Sequence, residues 1–235
     1  MVIGLARSGI AAADFLARRG ASVVATDTKS EGELPGEALA LRERGVRREL
    51  GGHRRETFTG ATMVVVSPGV PWELPELEAV RAAGVPVIAE IELAFRHLTG
   101  RVAAITGTKG KTTTTAALGA MLREAGFDAR VGGNIGAPLV GLVEGSTGAT
   151  TFAVEVSSFQ LEGTVRFHPH VAVWLNLSPD HLDRHPSLGA YVAAKARVFA
   201  NQGPGDWAVV NADDPAVLEQ ARAARARMLL FRTTG

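Results

Sequence analysis

The chain has no cysteine. Disulfides and thiolate metal sites are therefore excluded, while the redox compartment stays open. It also lacks any apolar run near the ~18 residues that a membrane span needs. Arg7, Asp14, Arg18 and Arg19 break the apolar pattern at its start, so no signal peptide is read there. An excess of one charge sign is missing too. The net charge is +1 and the pI about 8.2, which gives no electrostatic case for nucleic acid or an acidic membrane. Long repeats and low-complexity segments are absent. A soluble cytoplasmic protein is the default expectation, and a monomer the default state.

Two scarcities carry information. Lysine stands only at 29, 109, 111 and 195, so 21 of the 25 basic residues are arginine. A GC-rich genome accounts for such a bias, and under it a surviving lysine is one that arginine does not easily replace. Tyrosine occurs once, at 191, four residues before Lys195. What the chain does have is apolar material: 46% hydrophobic residues over 235 positions and a mean hydropathy of +0.11. That is core enough for one large or two modest domains.

The stretch around which the rest is arranged begins at Arg101. An apolar run over 102–105 reads as a buried parallel strand, and it breaks into Gly107-Thr-Lys-Gly110. Lys111 and four threonines then open an alanine-rich helical run. Strand, glycine loop, Lys-Thr and helix is the order that holds a nucleotide's phosphates. Loop and helix-start amides point at the anion, the lysine adds charge, and a threonine hydroxyl can ligate Mg²⁺. The full G-x-x-x-x-G-K-[ST] pattern needs glycine where this chain has Ile105, so the loop is a variant. A glycine-rich turn that binds nothing is the alternative.

The chain begins as a βαβ unit. Gly4-x-Ala6-x-x-Gly9 is a dinucleotide-type glycine turn with its middle glycine replaced, and Asp27 ends the second strand. A plain packing turn reads equally well, and the first strand starts at residue 1 without lead-in. A strand over 62–66 runs into Ser67-Pro-Gly-Val-Pro71, either a ligand-facing loop or a rigid turn. Thr99-Gly100 reads as a linker, giving domains of 1–97 and 98–235. In the second, strands end in Gly132-Gly-Asn-Ile-Gly136, in Glu155-Val-Ser-Ser, in Asn176-Leu-Ser-Pro-Asp-His181 and in Asn211-Ala-Asp-Asp214. Strand C-termini are where α/β proteins place their sites, so these converge on the phosphate loop. Glu155 in an apolar strand is costly unless paired or metal-bound, and a metal ligand beside Thr112 is the preferred reading. His181 stands between Asp180 and Asp183, although imidazole suits Mg²⁺ poorly. His53, His97, His168 and His170 read as structural or exposed, and His185 is ambiguous. Tyr191 and Lys195 share one helix face. Lys195 is either a solvated helix residue or one of the lysines kept for a reason.

Assembled, these residues resemble the Mur ligase family. The resemblance is carried by Gly107-Thr-Lys-Gly-Lys-Thr-Thr113, Gly132-Gly-Asn-Ile-Gly136, Glu155-Val-Ser-Ser-Phe-Gln-Leu-Glu162, Asn176-Leu-Ser-Pro-Asp-His-Leu-Asp-Arg-His185, Tyr191-x-x-Ala-Lys195 and Asn211-Ala-Asp-Asp214, in the family's order. Within the family, the Ser-Ser-Phe-Gln-Leu-Glu segment and the first unit point to the member that adds D-glutamate.

The resemblance implies an α/β fold: a Rossmann-like N-terminal domain, then a P-loop-type parallel-sheet ATP-binding domain incomplete at its C-terminus. It implies ATP-dependent amide-bond formation in peptidoglycan synthesis, between UDP-N-acetylmuramoyl-L-alanine and D-glutamate, through an acyl phosphate. Gly107, Thr108, Lys109, Gly110, Lys111, Thr112 and Thr113 would hold ATP. Thr112 and Glu155 would ligate one Mg²⁺ and His181 a second. Lys195 would carry a CO₂-derived carbamate, which a guanidinium cannot form. Lys111, Glu155, His181 and Lys195 would be the catalytic set. Ser8, Asp27, Thr28, Ser67, Gly69 and Asn134 match positions that face the UDP-sugar. Family members continue beyond this C-terminus into a third domain that helps bind the amino acid, so the chain reads as a fragment not competent for ligation alone. Another P-loop ligase or kinase, or a non-catalytic nucleotide-sugar-binding fragment, are the other readings.

Overall fold

The computed structural model describes residues 1–233. Two parallel sheets are wound one after the other. The first uses β1 (Val2–Ile3), β2 (Val24–Asp27), β3 (Arg47–Leu50), β4 (Val64–Val66) and β5 (Val87–Ala89), in the order β3-β2-β1-β4-β5. α1 (Arg7–Arg18), α2 (Gly36–Ala40), α3 (Arg55–Thr59) and α4 (Pro75–Ala82) connect these strands, and α5 (Glu90–Phe95) follows β5. The inner strand β4 and the strand β5 are short apolar runs buried on both faces, whereas the edge strand β3 is polar and at most half-buried. Strand order reverses at β1, so the turns after β1, β2 and β4 open into one crevice.

The second sheet uses β6 (Arg101–Thr106), β7 (Asp128–Gly133), β8 (Thr150–Glu155), β9 (Val171–Trp174), β10 (Trp207–Asn211) and β11 (Arg227–Phe231), ordered β11-β10-β9-β6-β8-β7. Its helices are α6 (Lys111–Glu124), α7 (Ser158–Glu162), α8 (Leu188–Ala196) and α9 (Pro215–Ala221). β6 lies between β8 and β9. The chain leaves it first toward β7 and β8 and returns on its other side, which puts the switch point at the phosphate loop. Among the described residues no helix is long and apolar enough to cross a membrane. Thr234 and Gly235, the last residues of the second expected domain, lie outside the described residues.

Some helices are continued by tighter turns. α2 is followed by a 3₁₀ turn that ends at Gly45, which takes φ 77°. α8 is followed by a further 3₁₀ turn (Arg197–Phe199). α3 and α7 have five residues each, too few for a hydrophobic period to show.

The two sheets share a core. One apolar cluster includes Val2 and Ala25 of the first sheet together with Val102, Phe152 and Trp174 of the second. α5 is the seam. The buried Glu90 carboxylate accepts the Val140 amide at 2.6 Å across it. The Glu92 carboxylate, also buried, accepts the amides of Val165, Arg166 and Phe167 at 2.9–3.0 Å and the Arg96 Nε at 2.8 Å. Ala89 N donates to Gly163 O at 2.9 Å. A Cβ on Gly163 would meet Ala89 N at 2.5 Å and the Trp72 ring at 2.8 Å, so only glycine allows this approach.

Candidate active site

The phosphate loop is held open by backbone conformations that suit glycine: Gly107 takes φ 152° and Gly110, the residue before α6, φ 80°. No side chain caps α6, so its first amides are left for a ligand. Asn176, at the end of β9, fixes the loop. Its Oδ1 accepts from Thr108 N at 3.1 Å and Lys109 N at 2.8 Å, and its Nδ2 donates to Lys109 O at 3.0 Å. Thr108 Oγ1 donates to Ser178 O and lies 3.1 Å from the Tyr191 hydroxyl. The Lys111 ammonium donates to Thr108 O at 2.9 Å. Lys109, Thr112 and Thr113 are exposed.

Glu155 ends β8 beside this loop and is 2% exposed. One carboxylate oxygen accepts from Thr112 Oγ1 at 2.8 Å and the other from Asn134 Nδ2 at 2.7 Å. Lys195 is buried, which sets aside its reading as a solvated helix residue. Its Nζ donates to Gly107 O at 2.9 Å and stands 4.7 Å from the centre of the Tyr191 ring. Burial, and secondarily the Lys111 charge, push its amine down to about 7.

His181 occupies a turn just past β9, with φ 52°. The amides of Arg184 and His185 both donate to its carbonyl. Its ring centre lies 4.9 Å from that of Phe159 and 6.4 Å from that of Tyr191. His185 is buried, with Nε2 at 2.9 Å from Ser158 Oγ and Nδ1 at 3.3 Å from Glu162 Oε1. Burial pushes its imidazole below the usual range, and Arg184 adds to that. Burial raises the Glu162 carboxyl, against the charge of Arg184.

In the first unit, a cleft of about 640 Å³ is lined by Leu5, Asp27, Thr28, Ser67, Gly69 and Val70, among others. Asp27 spans its floor, accepting Leu5 N at 2.6 Å and Lys29 N at 2.9 Å. Ser67 Oγ donates to Gly4 O at 2.7 Å. Gly9 has to be glycine, since a Cβ there would lie 1.7 Å from Gly4 O. Ala6 needs no glycine: its φ of −80° and ψ of −176° are ordinary extended backbone. A smaller cleft of about 270 Å³ runs from Ser8, Ser67 and Gly69 to Gly133, Asn134 and Gln160 of the second unit. Asn134 then leads to Glu155.

The structure thus gathers Lys111, Thr112, Glu155 and Lys195 around the loop, and Asp27, Thr28, Ser67 and Gly69 around the larger cleft. Ser8 and Asn134 lie between the two. His53, read from sequence as structural or exposed, has its Nδ1 at 2.9 Å from Thr26 Oγ1 and also lines the larger cleft. Asn176 and Arg184 lay inside a quoted motif, yet their roles went unread. An asparagine at a strand end beside a glycine loop was the available signal for the first. The partners of Arg184 lie up to 114 residues away, and no local pattern reports them.

The donor chemistry suits Mg²⁺ in part. Thr112 and Glu155 offer hard oxygens to one ion. Among the described residues no three His, Asp or Glu side chains cluster as a metal site. An ion held there would complete its coordination with waters and phosphate oxygens, as Mg²⁺ commonly does.

The Mur ligase middle domain family matches residues 105–235, and the Mur ligase MurD-like N-terminal domain family matches 1–89. The UDP-N-acetylmuramoylalanine–D-glutamate ligase of Acidobacterium capsulatum is 50% identical over 98% of this chain and 50% of its own length. That of Anaeromyxobacter dehalogenans is 53% identical over the same shares. The chain thus spans about half the length of the curated relatives it matches. Among solved structures, the UDP-N-acetylmuramate:L-alanyl-gamma-D-glutamyl-meso-diaminopimelate ligase of Neisseria meningitides is similar with a TM-score of 0.64 at 20% identity, over 98% of this chain and 76% of that one. That likeness concerns the fold.

Proposed function

The chain belongs to the Mur ligase family, and from that premise we propose that it serves ATP-dependent ligation of D-glutamate to UDP-N-acetylmuramoyl-L-alanine. The relatives that are about half identical carry that activity in their names. The observation that carries the reading is the continuity of the two clefts. The smaller one leads from Ser67 and Gly69 to Asn134, whose amide bonds Glu155 beside the phosphate loop. A nucleotide held in the first unit could thereby extend its acyl end to the γ-phosphate of a nucleotide held in the second.

On this reading Asp27, Thr28, Ser67 and Gly69 hold the UDP part, Ser8 and Asn134 the stretch between, and residues 107–113 the ATP phosphates. A carboxylate oxygen of the acceptor attacks the γ-phosphorus and ADP leaves. The D-glutamate amine then attacks the acyl carbon, phosphate leaves, and the amine gives up a proton. Lys111 and the free amides of α6 offset the charge that gathers on the transferring phosphoryl oxygens. Asn176 keeps those amides aimed. Thr112 and Glu155 would hold one Mg²⁺, and His181 with carbamylated Lys195 a second. When bound, the ions supply neutralisation of phosphate charge and a template for in-line geometry. The support for carbamylation is an amine held near 7 in a buried site, because only the free base adds to CO₂. A cytoplasmic location accords with these substrates.

The test is phosphate release by the protein as its gene encodes it. Release should require ATP, UDP-N-acetylmuramoyl-L-alanine and D-glutamate together, and Lys111→Ala should reduce it by about 10²-fold or more. Equal turnover with unrelated carboxylates or hydroxyl acceptors would replace this reading with another P-loop enzyme. Binding of the UDP-sugar without turnover would leave a nucleotide-sugar-binding module.

A further inference from the structure

The His181 turn and the first-unit cleft are tied by one guanidinium. Arg184 Nη2 donates to Val70 O at 2.9 Å and lies 3.4 Å from Glu162 Oε2, and Nη1 lies 3.4 Å from Glu73 Oε2. Val70 is part of the wall of the larger cleft, together with Ser67 and Gly69. The Nε is buried and, among the described residues, has no hydrogen-bond partner. At its other end Arg184 belongs to the turn whose amides at 184 and 185 close on the His181 carbonyl at 3.0 and 2.9 Å. The guanidinium also covers the Phe159 ring at 5.3 Å, and that ring meets His181 at 4.9 Å and His185 at 5.3 Å.

We propose that Arg184 is a positioning residue that couples occupancy of the first-unit cleft to the placement of His181. The inference rests on the nucleotide-sugar reading of that cleft. A planar fork keeps its donors in fixed relation. A shift of Val70 as the 67–74 segment closes on a ligand is therefore carried to the Arg184 backbone. From there two amides on one carbonyl, and the shared Phe159 ring, carry it to His181. His181 already has a left-handed backbone that a non-glycine residue holds only under constraint, so its position depends on this turn. Lysine would keep the charge and lose the fork.

Coupling of this kind is reciprocal and can be read from binding alone. The affinity for UDP-N-acetylmuramoyl-L-alanine is measured by calorimetry with and without a non-hydrolysable ATP analogue and Mg²⁺, in wild type, Arg184→Met and Arg184→Lys. In wild type each ligand should tighten the other by roughly 5-fold or more. In both variants that factor should fall to about one, with each separate affinity little changed. A factor of one in wild type, or one preserved in both variants, overturns the proposal. Hydrogen exchange in the ligand-free protein gives an arm independent of the substrate. Amides of 68–74 and 181–185 should exchange faster in Arg184→Met than in wild type, and unchanged exchange overturns the proposal as well. If wild type binds no UDP-sugar, it is the nucleotide-sugar reading that fails, and the exchange arm still decides the role of Arg184.

Discussion

Lys195 is a cation placed where cations are disfavoured. It is buried, its Nζ donates to the Gly107 carbonyl at 2.9 Å, and Lys111 adds like charge nearby. Below about pH 7 its amine is protonated and unreactive, and above that it is increasingly the free base. Carbamate formation should therefore strengthen as pH rises through that value. Enzyme depleted of CO₂ is expected to regain activity on addition of bicarbonate, with a larger requirement at pH 6.5 than at pH 8. Lys195→Arg should lose at least about 100-fold in rate and show no bicarbonate response. The scarcity of lysine was what marked this residue in the sequence, whereas its burial was not readable, because three alanines around it fit an exposed helix equally well. Glu155 was the opposite case: a carboxylate inside an apolar strand demands a partner wherever the strand lies, and it has two.

At the scale of elements, the strands and the phosphate loop were legible because both follow from local chemistry. Short apolar runs make parallel strands, and Gly107 and Gly110 mark backbone that other residues avoid. α7 left a signal that went unread, since Ser157 and Gln160 form a reciprocal capping box. α3 has no such cap. The brace on the phosphate loop was illegible for another reason: the pairing of Asn176 with Thr108 and Lys109 spans 67–68 residues. Asn176→Ala should free those amides to wander and weaken ATP-analogue binding by about 1–2 kcal/mol, on the order of tenfold. Tm is expected to change little, because the loop sits at the surface of the sheet. Asn176→Asp keeps the acceptor but sets an anion beside the phosphates, so it should bind the analogue no better than the alanine variant.

For the whole molecule, the seam at α5 decides how the halves depend on each other. Burial pushes the Glu90 carboxyl up to about 7, against the Val140 amide bond, and among the described residues its second oxygen has no hydrogen-bond partner. The folded state then binds more protons than the unfolded one between about 4.5 and 7. Stability falls as pH rises through that window and the penalty is complete above it. Wild type is expected to lose about 2–3 kcal/mol of unfolding free energy between pH 5 and 8 relative to Glu90→Gln, measured by urea titration. None of this was visible in sequence, where 97 and 98 looked like a clean join. For recombination between relatives the difference is practical. A crossover in the linker before β6 would inherit Glu92 from one parent and the 165–167 amides it binds from the other. A parent that carries proline or a differently set backbone there would leave the buried Glu92 with Arg96 as its partner. Viable chimeras should therefore exchange α5 together with the segments around 140 and 163–167, as a block that is contiguous in space and scattered along the gene.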